Sequence, residues 1–152
     1  MNAITMLLDD HAKMRKLMTE LESTTERGLK IRAELFSTIK GELTIHEVIE
    51  EEIFYPALKS HPKARDIVLE GYQEHHVVDL VMKELEETPV DDERWGAKAK
   101  VMVENVRHHM EEEEGDMFKQ ARSIFDRSEL EDLGERMEAR RVSAKEELGV
   151  PA

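Results

Sequence analysis

The 152-residue chain has no cysteine, which excludes disulfides, thiolate nucleophiles and iron–sulfur clusters. Positive charge is also scarce. Lysine and arginine number 22 against 35 aspartates and glutamates, and the net charge of −13 argues against a nucleic-acid or anionic-membrane partner. The first ten residues, Met1 to Asp10, lack the charged n-region and long apolar h-region of a secretory signal, so a cytoplasmic location is the default expectation. No stretch alternates polar and apolar residues for long enough to predict a strand. What is present suits one domain, because 39% hydrophobic residues can fill a single core.

Apolar residues recur at helical spacing throughout. From about Ala3 to Arg27, the residues Ile4, Leu7, His11, Met14, Met18 and Leu21 share one stripe, and Gly28 is expected to end that helix. A second helix, about Leu29 to Leu58, turns Leu35, Ile39, Leu43, His46, Ile49, Glu50 and Ile53 inward. Pro56 is expected to kink its last turn, and His61-Pro62 breaks it. A third, about Lys63 to Glu87, faces inward through His75, Val78, Met82 and Leu85; Thr88 to Asp92 is a connection. A fourth, about Glu93 to Phe125, carries Met102, Val106, His109, Glu113 and Met117. Ser128 with Glu131 reads as a capping box that opens a last helix to about Leu148.

The two halves repeat. His75 follows His11 by 64 residues and His109 follows His46 by 63, and Leu-Met-Thr-Glu-Leu-Glu (17–22) returns as Val-Met-Lys-Glu-Leu-Glu (81–86). Short loops between such helices predict an all-α, up-down-up-down four-helix bundle over residues 1–126, with residues 127–152 forming an additional C-terminal helix on the same domain. Its core would contain four imidazoles. His46-x-x-x-Glu50 and His109-x-x-x-Glu113 each add a carboxylate on the same helix face, about one turn away.

Such a core is costly unless something compensates it. A buried ionised carboxylate costs several kcal/mol, and an unpartnered imidazole leaves a donor or acceptor unsatisfied. A pair of metal ions would satisfy all six groups. Nitrogen and oxygen donors without sulfur favour iron, with manganese second and zinc behind. His46-Glu47-x-x-Glu50 lacks the second histidine of a zinc protease motif. No histidine here has Glu three residues before it, as ferritin-like di-iron helices require. Asp79 reads equally as a ligand or as part of a solvated face, and Glu47 is turned roughly 100° from His46. Glu51 or Glu114 would replace Glu50 or Glu113 if the helix phase shifted by one residue. His61, His76 and His108 read as exposed or supporting, and Met14, Met18, Met82, Met102, Met110 and Met117 as adaptable core.

At His11, at His46-x-x-x-Glu50 with Glu51 and the following Ile53-Phe54-Tyr55-Pro56, at His75 and at His109-x-x-x-Glu113, the chain resembles the hemerythrin-like family of HHE cation-binding domains. The resemblance spans about residues 3–125. It implies a non-haem di-iron centre in which Glu50 and Glu113 bridge two irons while His11, His46, His75 and His109 are terminal ligands. Oxygen-carrying members present two histidines four residues apart on the third helix; here the second of those positions is Asp79, so Asp79, Glu47 or water would fill the gap. Harder ligands favour ferric iron and disfavour reversible oxygen carriage. The expectation is therefore catalase- or peroxidase-like chemistry on hydrogen peroxide, or on dioxygen, with an iron- or oxygen-sensing module without turnover as the alternative. Tyr55, Tyr72 and nearby carboxylates are candidates to orient the imidazoles, and Arg15 either pairs with a carboxylate or extends to solvent.

Overall fold

The computed structural model describes residues 1–152 and contains no strand. Helix α1 (Ala3–Glu22) starts where the Asn2 side chain accepts the Thr5 N–H at 2.9 Å. It stops earlier than expected, because the Ser23 and Thr24 hydroxyls donate back to the carbonyls of Glu20 and Leu21. Gly28 does not end α1. It precedes α2 (Leu29–Ile49), with φ −104° and not the left-handed conformation of a helix stop. Helix α2 passes through a π-helical turn, Glu50–Phe54, into α3 (Tyr55–Lys59). After a 3-10 turn at Pro62–Ala64, α4 (Arg65–Glu86) runs back along the bundle. Then α5 (Trp95–Glu112), a second π turn at Glu113–Met117 and α6 (Phe118–Ile124) complete the second hairpin.

The fold is the expected up-down-up-down bundle with one added helix, α7 (Arg127–Leu148). Its capping box lies two residues before the expected one. Asp126 accepts the Glu129 N–H at 2.8 Å and the Glu129 carboxylate accepts the Asp126 N–H at 3.1 Å. Asp126 is the last extended residue (ψ 176°), so Ser128 already lies inside the helix. Gly149, at φ 67°, closes α7 in the left-handed conformation that glycine adopts without strain.

Two apolar clusters fill the bundle, separated by the histidine layer. One gathers Leu7, Ile49, Phe54, Tyr55, Leu58, Phe118 and Met137; the other gathers Met18, Leu21, Ile39, Leu85, Trp95 and Met102. All six singled-out methionines are core residues, as their spacing predicts. Met137 ties α7 into the first cluster. No helix is long and apolar enough to cross a membrane.

Helix α7 crosses the start of α1 very closely. A Cβ on Gly134 would stand 2.2 Å from the Met1 carbonyl oxygen and 3.0 Å from the Ala3 nitrogen. Gly134→Ala is therefore expected to destabilise the protein by about 1–3 kcal/mol, read as a lower urea midpoint. An unchanged midpoint would show that residues 1–3 yield without cost.

Candidate metal centre

Each long helix delivers one histidine to the same level. His11 comes from α1, His46 from α2, His75 from α4 and His109 from α5, and all four are at least 94% buried, with 1%, 6%, 2% and 4% exposure. Glu50 and Glu113, the first residues of the two π turns, are fully buried between them. Ligand atoms of Glu50, His75, His109 and Glu113 lie within 4.8 Å of one another, as do those of His11, His46 and Glu113. Glu113 thus belongs to both groups. Glu50 Oε1 lies 3.1 Å from Nε2 of both His46 and His75, which links the two groups a second time. Glu113 Oε1 sits 3.1 Å from His11 Nε2 and 3.4 Å from His109 Nε2.

The outward ring nitrogens are anchored by a second set of carboxylates. His11 Nδ1 meets Glu114 at 2.6 Å, His46 Nδ1 meets Asp10 at 2.8 Å, His75 Nδ1 meets Glu51 at 2.9 Å and His109 Nδ1 meets Glu74 at 2.7 Å. The repeat governs this set too. Asp10 and Glu74 each immediately precede a histidine, and Glu51 and Glu114 each immediately follow an inward glutamate. Glu51 and Glu114 therefore orient imidazoles, and Glu50 and Glu113 keep the inward positions. Asp10 and Glu74 were not singled out in the sequence, although their matched place before His11 and His75 was a usable signal. With Nδ1 donating outward, Nε2 is the atom each ring presents to the centre.

The π turns explain how an aromatic ring joins each glutamate. In an α-helix, about 100° per residue puts position i+5 well away from position i. Here Tyr55 N–H bonds Glu50 O and Phe118 N–H bonds Glu113 O, the i to i+5 closure that brings the fifth residue back inward. Tyr55 then stacks on His75 at 5.2 Å and Phe118 on His11 at 5.7 Å. Pro56 follows only the first turn, and Lys119 holds its place after the second, so proline does not cause the irregularity. At this ring the halves differ by one hydroxyl. The Tyr55 hydroxyl donates to Glu113 at 2.6 Å and lies 3.3 Å from His75 Nε2, where Phe118 has only a C–H edge. Gly71 makes room for it, since a Cβ there would stand 3.0 Å from that hydroxyl.

The donor set fits a cation. His46 Nε2 and Glu50 Oε2 are buried without a hydrogen-bond partner, and a metal ion would satisfy both. Asp79 is exposed and joins neither group, while Glu47 is buried on the outer side of His75, grouped with Glu51. Of the other residues, Tyr72 donates to the Glu51 carbonyl at 3.2 Å, and Arg15 pairs with Glu114 at 2.8 Å. His76 and His108 are exposed and His61 is half-buried.

Charge dominates the metal-free site. Burial pulls the His75 pKa down, but hydrogen bonds to Glu50 and Glu51 and the Glu50 charge outweigh it and hold it at about 9. His46 and His109 are likewise held well above 6.5, because the inward glutamates overcome the same burial. Burial also pushes Glu47 up to about 9, with Asp79 and Glu51 adding to it. Burial, then the charges of Glu113 and Glu50, keeps the Tyr55 phenol protonated. A histidine raised from ~6.5 stabilises the fold below that pH and ceases to as pH climbs through its folded value. Glu47, protonated in the fold and ionised when unfolded, acts in the same direction. The metal-free protein should therefore lose stability between about pH 6.5 and pH 9, while metal binding, which needs neutral imidazoles, strengthens. Thermal midpoints with chelator and with added metal should diverge as pH rises; a metal-free midpoint that rises over this interval would contradict the charge arrangement.

Residues 2–121 match the family model of the hemerythrin HHE cation-binding domain. The crystal structure of a hemerythrin HHE cation-binding domain-containing protein from Mycobacterium kansasii superposes with a TM-score of 0.84 at 29% identity, covering 97% of this chain and 92% of that one. A curated DNA nickase from Nostoc sp. strain PCC 7120 is 25% identical over 149 residues, 98% of this chain. The chain spans only 42% of the length of that relative.

Proposed function

Given that this chain belongs to the hemerythrin HHE cation-binding family, we propose that it holds two iron ions and acts on a small oxidant, hydrogen peroxide first and dioxygen second. The observation that carries this reading is the convergence of four Nε2 atoms and two shared carboxylates at one level of the core. His11 and His46 would serve one ion, His75 and His109 the other, with Glu50 and Glu113 between them. Nitrogen and oxygen donors suit iron, and manganese after it. The irons would supply Lewis acidity and redox chemistry at a fixed place.

The rest is the work of the side chains. Four outward carboxylates lock the rings, so each Nε2 needs no reorientation on binding. Met14, Leu43, Val78, Val106 and Met110, with the four histidines, wall a cavity of about 20 Å³. That is room for about one water-sized molecule, which suits peroxide or dioxygen. Tyr55 keeps its proton and gives it to a hydrogen bond with Glu113, fixing that carboxylate and making the two halves chemically unequal. The nickase activity named for the Nostoc relative is not carried over, because a chain of net charge −13 opposes a phosphate backbone.

A second reading, a sensor without turnover, is favoured by one contact. Arg141 on α7 donates to both oxygens of Asp10, at 3.0 Å each, and Asp10 holds His46 Nδ1. Peroxide consumption per bound iron separates the two. The iron-loaded protein should outpace free iron; equal rates would leave the sensor reading. His75→Ala should reduce bound iron, and full iron retention would show the ligand set to be wrong. Glu74→Gln, which loosens His109, should weaken iron binding by about 10–100-fold, measured by competition with a chelator.

A further inference from the structure

The two halves of the bundle also differ just outside the outer face of one histidine. Glu114, on His11 Nδ1, carries its own cation, because Arg15 Nη2 lies 2.8 Å from its carboxylate. At the matching place outside His75, Glu51 has no lysine or arginine within 4.0 Å. The repeat shows what replaced them. Asp79 stands where the first half has Arg15, 64 residues earlier, and Glu47 stands where the second has the buried Met110, 63 residues later. A guanidinium and a thioether on one side have become two carboxylates on the other.

Glu47 is only 6% exposed, and its Oε1 has no hydrogen-bond partner. Oxygens of Glu47 and Glu51 lie within 4.8 Å of each other and of a His75 ring nitrogen, and Asp79 faces Glu47 from the exposed side. Without a cation Glu47 holds a proton, yet its Oε1 still lacks a donor; a cation displaces that proton and supplies the missing partner.

We propose that Glu47 and Glu51, flanked by Asp79, hold a further divalent cation beside the His75 ring, doing for this half what the Arg15 guanidinium does for the other. Oxygen-only ligation suits a hard ion such as Mn(II), Mg(II) or Fe(II). His75 Nδ1 keeps its bond to one Glu51 oxygen, and the ion takes the other. This ion exchanges with solvent, since the Glu51 side chain is 38% exposed and Asp79 is exposed, whereas ions at the central level lie behind fully buried glutamates. The site goes beyond the proposed function and uses carboxylates outside the central ligand set.

Iron-loaded protein dialysed against Mn(II) and read by electron paramagnetic resonance tests it. The natural sequence is expected to bind one manganese per chain beyond the metal of the centre. The double variant Glu47→Met, Asp79→Arg, which installs the residues of the other half, should lose that ion. The single variant Asp79→Arg, at an exposed position where folding is not at risk, should bind it at least about tenfold more weakly. No manganese beyond the centre at millimolar ion, or equal affinity in Asp79→Arg, would overturn the proposal. Iron counted in the same samples reports the central pair, so a failure there is distinct from a failure here.

Discussion

A belt of imidazoles and carboxylates crosses the middle of the bundle, where an ordinary helical protein would put leucine. Taking Glu50 and Glu113 fully out of water forces every neighbouring choice. The rings must bring Nε2 inward, their outer nitrogens must find acceptors, and the apolar core must divide into two clusters, one on each side. Without a positive charge at the centre the belt holds protons instead, which is why the histidines there are pushed upward.

The internal repeat solves this problem twice with one design. In each hairpin a carboxylate precedes one histidine, a second histidine lies four residues before an inward glutamate, and another carboxylate follows that glutamate. Each half also widens its helix into a π turn at that glutamate, so that an aromatic ring i+5 away can stack on an imidazole. Departures from the repeat are therefore informative. Tyr55 in place of phenylalanine adds a single donor at the centre, and the Glu47–Asp79 pair leaves one outer face without the cation that Arg15 supplies to the other.

Helix α7 is more than a brace. Its Arg141 binds Asp10, and through it His46, while Arg140 reaches Glu52 in the first π turn at 3.0 Å. A helix outside the four-rod bundle thus holds parts of the belt in place. A small cavity of about 20 Å³ is bordered by all four histidines.

The helical class, the bundle topology and the inward faces of His11, His46, His75, His109, Glu50 and Glu113 were legible in the sequence, because 3.6-residue periodicity and a repeat in register fix which faces turn inward. Local stops were read less well. Gly28 and Ser128 both looked like boundary residues, and hydroxyls at Ser23 and Thr24 and an earlier acid at Asp126 prevailed over them. Only the tertiary structure decided what Asp10, Glu74 and Arg141 do, since their partners lie on other helices 36, 35 and 131 residues away. It also decided the π turns, whose wider closure leaves no mark in a pattern read at 100° per residue. Periodicity names the face a residue occupies, but the depth at which faces from separate helices meet is set by packing.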